Sequence, residues 1–396
     1  MTQRATRPAS HGLLIANLLA QISFGLLAMT ICLPSMQAWG ALFERSQAMV
    51  QLSFSAYVVT YGAFQLLYGP LSDRHGRRPV LMVGLALAGV GSVLAALSPS
   101  LEVLILARAL QGAGSAAGMV IGRSAVQDFF SGAERTRVMA YIGMALGVCP
   151  PVATLVGGQL HVHVGWQGSF VLMAVLSLGL LLAAWRGLPA PTKALSHESH
   201  WLIHMGRAYA RLAREKNFWL YVAVLASSTA AFYAFLAGAP IVLGSYGVGP
   251  QSIGWYIMAV PLSYIVGNYL TSHWIHRKGD RRVMGMGLLS TLAGLALLLA
   301  LGWAGWASPL AFALPLLLMG LGHGLLNPPA LAGTVGVVPA LAGSAAAVAG
   351  LLQQLTGALG AYVVGWVDHH GAINLGLLMT GFTLLGGVAL VLLNRR

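Results

Sequence analysis

Apolar stretches of about twenty residues recur along the chain and restrict its fold more than any other feature, because a helix of that length crosses the hydrocarbon layer of a bilayer. Hydrophobic residues make up 57% of the 396 residues and charged residues only 8%. We therefore predict an all-α polytopic membrane protein with twelve transmembrane helices. These lie near 13–34, 48–68, 80–97, 102–126, 138–160, 167–185, 218–242, 251–272, 284–303, 309–332, 342–364 and 373–393.

The apolar stretches fall into two sets of six, separated by a polar connection that is rich in arginine. The sequence predicts a six-helix bundle at 1–186, a cytoplasmic linker at 187–217 and a second six-helix bundle at 218–396. Within the linker, Trp201, Leu202 and Ile203 favour an amphipathic helix that lies along the membrane surface.

Basic residues concentrate in the connections on one side of the predicted bundle. These connections contain nearly all of the 22 Lys and Arg residues, whereas the whole chain has only 9 Asp and Glu residues. The positive-inside rule places this side, and both termini, in the cytoplasm. The same rule accounts for the net charge of +13. The lipid bilayer is therefore the expected partner, and a nucleic-acid partner is not needed to explain the positive charge.

A basic motif at 69–79 joins the second and third apolar stretches. It reads Gly-Pro-Leu-Ser-Asp-Arg-His-Gly-Arg-Arg-Pro, with Gly69, Gly76, Arg77 and Arg78 among its residues. Gly and Pro at both ends predict that the two helices stop there and leave a tight turn. Asp73 can meet helix-end amides and the neighbouring arginines, so the turn would be an ordered hinge. The alternative is a loop that only fixes the orientation of the chain in the membrane.

A second basic connection follows the eighth apolar stretch, at 275–283. Its glycine, Gly279, is flanked by basic residues as in the first motif. This similarity predicts that the two halves are related repeats that meet around a site near the middle of the membrane. Chance similarity between two basic loops is the alternative.

The basic motif also carries a resemblance to a known family. It is similar to the signature G-x-L-x-D-R-x-G-R-R of the major facilitator superfamily, and 108–112 is similar to a second family motif, R-x-x-Q-G. Together with 50–53 and 65–68, these residues resemble the drug:proton antiporters of the bicyclomycin/chloramphenicol-resistance (Bcr/CflA) type. The resemblance implies the major facilitator fold, in which two six-helix bundles surround a cavity that opens alternately to each face.

The resemblance also implies a gate on the cytoplasmic side. Asp73, Arg74 and Arg78 match residues that hold the two halves together in the outward-open state, and Asp128 matches an acid that pairs with them. A charge cluster at a partly desolvated interface has two discrete states, paired or hydrated, which suits a gate. For Asp128, the alternative is an ordinary solvated acid at a helix end.

Arg108 lies within the predicted fourth helix, about 9 Å from its outer end at the helical rise. It could extend outward to the membrane surface, or it could face an aqueous cavity. The resemblance implies that it tunes the protonation of a cavity acid.

A Gly/Pro-rich run at 143–158 is similar to the antiporter motif of the family, with Thr154 where a second proline is usual. Close packing of small residues also explains this run.

The sequence departs from the family at the end of the first helix, where Thr30 replaces an acid that takes part in proton coupling. None of the nine carboxylates is predicted near the middle of the membrane. His323, between two glycines in the tenth helix, is a candidate replacement because its ordinary pKa of about 6.5 suits a proton switch. A neutral structural histidine is the alternative, and Asp73 with Asp128 is a second possible coupling site.

The polar and aromatic residues of the inward helices predict the wall of a central cavity. A wall of aromatics and amides without acids favours neutral or zwitterionic amphiphiles, such as a phenicol-like drug. The candidates are Asn17, Gln21, Thr30, Tyr57, Tyr61, Gln111, Tyr233, Tyr256, Tyr264, Asn327, Gln353 and Gln354.

Taken together, these features predict a secondary active transporter of a bacterial inner membrane, which exports small amphipathic drugs or metabolites in exchange for protons. A facilitator or importer of a nucleoside or sugar is the alternative, and a transporter-like receptor a third. No nucleophile–base pair, metal-ligand cluster or phosphate-binding loop is present in the sequence, so we expect neither an enzyme nor a cofactor nor a metal. We expect the protein to act as a monomer.

Overall fold

The computed structural model describes residues 11–188, 210–368 and 371–394. The predicted linker helix around Trp201 lies outside the described residues. The first half contains α1 (His11–Thr30), α2 (Met36–Leu42), α3 (Gln47–His75), α4 (Arg77–Ala96), α5 (Leu101–Phe129), α6 (Gly132–His163) and α7 (Gln167–Gly187). The second contains α8 (Lys216–Ser245), α9 (Pro250–Ile257), α10 (Ala259–Lys278), α11 (Asp280–Trp303), α12 (Pro309–Gly336), α13 (Ala342–Val364) and α14 (Ala372–Asn394).

The helices of the described ranges form a polytopic membrane bundle. Ten segments in these ranges are long and apolar enough to span a bilayer, and two of them combine α1 with α2 and α9 with α10. The helices α3 and α6, with 29 and 32 residues, are also long enough to cross. The order of helices therefore agrees with the twelve passes predicted from the sequence.

Serine caps begin three of the long helices at one face of the bundle. The side chains of Ser46, Ser100 and Ser308 accept bonds from backbone N–H groups in the first turns of α3, α5 and α12. These bonds satisfy amides that have no partner within the helix. We call this the distal face, and we call the opposite face, where α3 meets α4, the motif face.

The basic motif is mostly helical, and the prediction that Gly and Pro at its two ends stop the helices is wrong. The helix α3 continues through Gly69 and Pro70 to His75, and only Gly76 leaves the helical conformation, with φ 92° and ψ 149°. Pro70 removes a single N–H donor, and packing of α3 against α5 and α13 stabilises the helix beyond it. Pro79 lies in the first turn of α4, where a backbone N–H would have no acceptor within the helix, so a proline costs no hydrogen bond there.

The two halves repeat this arrangement at the residue level. Gly279 breaks the chain between α10 and α11 with φ 77° and ψ 157°, close to the values at Gly76. Gly84 and Gly287 each lie eight residues further on, and each touches a backbone carbonyl of the next helix, Gly114 or Gly322. A side chain at either position would clash with that carbonyl. The shared spacing of breaks and contacts favours related repeats over chance similarity.

The two halves meet mainly through α3 with α13 and through α6 with α9 and α10. Three hydrogen bonds join them within the described ranges. Gln37 donates to the carbonyl of Pro240, Gln51 Nε2 donates to the carbonyl of Ala237 at 3.2 Å, and Ser55 Oγ donates to that of Ala358 at 2.8 Å. All three donors lie in the distal part of the first half. We call this set of contacts the distal seam.

Candidate functional site

A cavity of about 390 Å³ lies between the two halves near the middle of the bundle. The first half contributes one wall from α1 and α6, and the second half contributes the rest from α8, α10, α12 and α13. The lining residues are Leu26, Met29, Gly147, Pro150, Thr229, Phe232, Tyr233, Leu236, Val260, Pro261, Tyr264, Asn268, Gly320, His323, Asn327, Gln353 and Gln354. The cavity is therefore mainly apolar, with its polar groups in the second half.

Five of the twelve cavity residues predicted from the sequence line this cavity, and the coupling candidate His323 lines it as well. The five are Tyr233, Tyr264, Asn327, Gln353 and Gln354. Sequence reasoning missed Thr229 and Asn268, although Asn268 is one helical turn from Tyr264 and so shares its face. It also missed Leu26 and Met29, because apolar residues on a membrane helix give no signal that separates a cavity wall from ordinary packing.

Two predicted cavity residues on α1 instead join it to α7 and a third bonds within α1, so these three do not line the cavity in this conformation, contrary to the prediction. Asn17 donates to the carbonyl of Ala183 on α7 at 3.0 Å, and Gln21 donates to that of Leu180 at 2.9 Å. The hydroxyl of Thr30 donates to the carbonyl of Leu26 within α1. Polar side chains inside a membrane bundle often serve as such interhelical bonds, because lipid offers them no other partner.

Tyr57, Tyr61, Gln111 and Tyr256 also lie away from the cavity. Tyr57 donates to the carbonyl of Gly25 at 2.7 Å and stacks against Tyr61. Tyr256 is half-buried and packs against the main apolar core. Gln111 donates to Ser92 Oγ at 2.8 Å. These residues pack the bundle, and the sequence could not distinguish them from lining residues.

Arg108 is fully buried in the first half and does not extend to the membrane surface. Its guanidinium donates to the carbonyl of Ala28 at 2.8 Å and to Gln111 Oε1 at 2.5 Å, and it lies 4.2 Å from the centre of the Tyr57 ring. The carbonyl of Ala28 lies at the C-terminal end of α1, which favours a cation. Within the described ranges, no carboxylate pairs with Arg108.

The polar groups on α8 and α13 bond to one another across the cavity wall. Tyr233 donates to Gln354 Oε1 at 3.0 Å, and Gln353 Nε2 donates to Thr229 Oγ1 at 3.2 Å. On the facing wall, the amide oxygens of Asn268 and Asn327 are buried and have no hydrogen-bond partner among the described residues. The asparagine wall therefore has acceptors available for a ligand, whereas the polar groups of α8 and α13 already bond to one another.

His323 lies in the cavity wall on α12, with 4% of its surface exposed. Its ring packs edge-on against Phe232, with ring centres 6.3 Å apart. No described residue forms a hydrogen bond with it. The ring is therefore free to bond a molecule or a proton in the cavity.

The acids of the described ranges all lie outside the cavity, and Glu198 is outside those ranges. Two of them meet Arg77 on the motif face. Arg77 pairs with Asp73 of its own half and, at 3.0 Å, with Asp128 at the end of α5, and it also donates to Ser72. The resemblance implied that Arg74 and Arg78 pair with Asp128. In the structure Arg77 does so instead, because the turn at Gly76 directs it toward α5.

The match to a family model decides the identity of the fold. Residues 13–361, and separately 238–396, match the model described as "Major Facilitator Superfamily". This chain belongs to the major facilitator superfamily. The resemblance seen in the basic motif is thereby confirmed, and the protein is a membrane transporter rather than an enzyme.

Several curated relatives of this transporter are drug-resistance proteins. Multidrug resistance protein D of Escherichia coli (strain K12) is 28% identical, over 94% of this chain and 93% of that protein. A chloramphenicol resistance protein of Pseudomonas aeruginosa is 32% identical, over 78% of this chain and 74% of that protein. The multidrug transporter MdfA of Yersinia pestis bv. Antiqua (strain Angola) is 29% identical, over 96% and 94%.

Solved structures of transporters share the fold. A peptide transporter POT in complex with alafosfalin matches with a TM-score of 0.79 and 15% identity, over 98% of this chain and 96% of that one. A bacterial homolog to the human lysosomal transporter Spinster, in an inward-facing and occupied conformation, matches with a TM-score of 0.75 and 16% identity, over 96% of both chains.

Proposed function

We propose that this transporter exports small neutral amphiphiles across the inner membrane of a bacterium by alternating access, in exchange for protons. The observation that supports export of such molecules is the cavity between the halves, which combines apolar side chains with amides and contains no acid from the described ranges. Such a wall gives an uncharged molecule apolar contact and hydrogen bonds but gives a cation no counter-charge. The drug-resistance relatives support the same substrate class.

The distal seam supports an inward-facing state for this structure. Among the described residues, three hydrogen bonds hold the halves together on the distal face, whereas the ion pairs of Arg77 on the motif face stay within the first half. If the motif face is cytoplasmic, as the basic connections indicate, the substrate would enter from the cytoplasm. Outward opening would then break the distal seam and bring the two halves together on the motif face.

His323 is our first candidate for proton coupling, and Asp73 with Asp128 is the second. His323 lies in the cavity without a hydrogen-bond partner among the described residues, so a proton there would directly change what the cavity binds. Asp73 and Asp128 instead lie at the motif face, where a proton would weaken the ion pairs with Arg77. Arg108 would then hold the end of α1 in place rather than tune a cavity acid.

Uptake of chloramphenicol into inside-out membrane vesicles tests the proposal. We expect an imposed proton gradient, acidic inside, to drive uptake by the wild-type protein and His323→Ala to lose that dependence. His273→Ala is the matched control, because His273 is exposed on α10 outside the cavity. Proton dependence that is unchanged in His323→Ala would transfer the coupling role to Asp73 and Asp128, and uptake without any gradient dependence would contradict antiport.

A facilitator or importer of a nucleoside or sugar is the second candidate. The replacement of the first-helix acid by Thr30, which bonds within α1, favours it. Expression in an efflux-deficient host separates the two, because an exporter should raise resistance to unrelated neutral drugs and an importer should not.

A further inference from the structure

Two asparagines share one wall of the cavity because α10 and α12 approach very closely there. A side-chain carbon at Gly324 would lie 2.7 Å from the Cα of Gly267 and 2.8 Å from the backbone nitrogen of Asn268. Only glycines permit this contact. It places Asn268, the residue after Gly267, beside Asn327, which follows Gly324 by three residues, and both line the cavity.

A side-chain bond fixes this wall. Pro328 has no N–H, so it leaves the carbonyl of Gly324 without its usual partner in α12. Thr271 of α10 supplies the missing donor, with its Oγ1 at 2.9 Å from that carbonyl. The close contact and the bond together hold the two helices, and so the two asparagines, in a fixed relation.

The hydrogen bonds of the cavity leave the asparagine oxygens free. The side chains of Asn268 and Asn327 both lie beside the Tyr264 hydroxyl. Both amide oxygens are buried and have no partner among the described residues. The facing wall is different, since its glutamines bond to Thr229 and Tyr233. Buried acceptors without partners are unfavourable, and a ligand with suitable donors would satisfy them.

We infer that Asn268 and Asn327 select transported molecules that present two O–H or N–H donors, one for each amide oxygen. This inference rests on the proposed function in one respect, that the cavity is the substrate site. The apolar part of the molecule packs against Leu26, Met29 and Phe232 across the cavity. The two asparagines are therefore specificity-determining residues, and a molecule of the same size and polarity without donors is a poor ligand.

Equilibrium binding to the purified protein in detergent tests this inference with a matched pair of probes. Chloramphenicol presents two hydroxyls and an amide N–H, and its diacetate lacks both hydroxyl donors. We expect the diacetate to bind the wild-type protein about tenfold more weakly than chloramphenicol. Asn268→Leu and Asn327→Leu should each weaken chloramphenicol binding about tenfold and leave diacetate binding nearly unchanged. Asn327→Asp retains an acceptor and should restore chloramphenicol binding.

The control is Asn374→Leu, because Asn374 is exposed at the start of α14, outside the cavity, and donates to the carbonyl of Asp368. Equal binding of the two probes by the wild-type protein overturns the inference, and so does either leucine variant that still binds chloramphenicol as tightly as the wild type does. Absence of any chloramphenicol binding also overturns it. The binding measurement uses no proton gradient. A failure of proton-driven export in vesicles would therefore contradict the proposed function without contradicting the selection of ligands by the two asparagines.

Discussion

At the residue scale, burial decides what a polar side chain in this bundle does. Arg108, Gln111 and Tyr57 form a fully buried cluster that bonds the end of α1. Asn268 and Asn327 also carry side-chain amides but face the cavity. The difference is whether a donor or acceptor from another helix lies within reach, because lipid offers a buried polar group no partner of its own.

Replacing Arg108 tests its structural role. Arg108→Gln leaves the carbonyl of Ala28 and Gln111 without a donor, so we expect a loss of about 2–4 kcal/mol in the free energy of unfolding. Thermal unfolding of the purified protein in detergent measures this loss. Arg123→Gln is the control and should be nearly neutral, because Arg123 is exposed. Equal unfolding temperatures for both variants would contradict a structural role for Arg108.

At the element scale, a single glycine joins the helices at each basic connection. Gly76 and Gly279 both have positive φ values, which other residues adopt only with strain. Elsewhere the glycines let helices touch, as at Gly84 and Gly114. The same residue type thus provides a sharp turn at the motif face and close packing within the bundle.

Gly76→Ala is expected to destabilise the protein by about 1–2 kcal/mol, because alanine is strained at φ 92°. Gly285→Ala is the opposite case. Gly285 lies inside α11 with open space around it, so alanine should stabilise the helix by about 0.5–1 kcal/mol. Denaturation of both variants in detergent measures the difference. A loss of stability in Gly285→Ala that equals the loss in Gly76→Ala would contradict the backbone argument.

At the scale of the whole molecule, the distal seam determines which face is closed. Its glutamines donate to carbonyls of α8 around Pro240, a residue that lacks an N–H and weakens the helix there. The seam therefore joins the first half to a deformable segment of the second. On the motif face, the carboxylates that pair with Arg77 are about half exposed, so these ion pairs stabilise the fold only weakly.

Gln51→Leu is expected to shift the conformational equilibrium toward the distal-open state. The variant loses one hydrogen bond between the halves, which corresponds to about 1 kcal/mol or a roughly fivefold change in population. Spin-label distances across the distal face measure the shift. Gln353→Leu, which removes a bond within the second half only, is the control. Unchanged distances in Gln51→Leu would show that this bond does not hold the distal face closed.

The sequence by itself determined the class of fold, because runs of apolar residues have no other stable arrangement than helices across a bilayer. Its basic motif also identified the superfamily. Only the tertiary structure decided that Arg77 rather than Arg74 or Arg78 meets Asp128, that α3 continues to His75, and that Asn17 and Gln21 bond neighbouring helices while Asn268 faces the cavity. Those outcomes depend on which groups from distant helices come within bonding distance, and local sequence does not encode these distances.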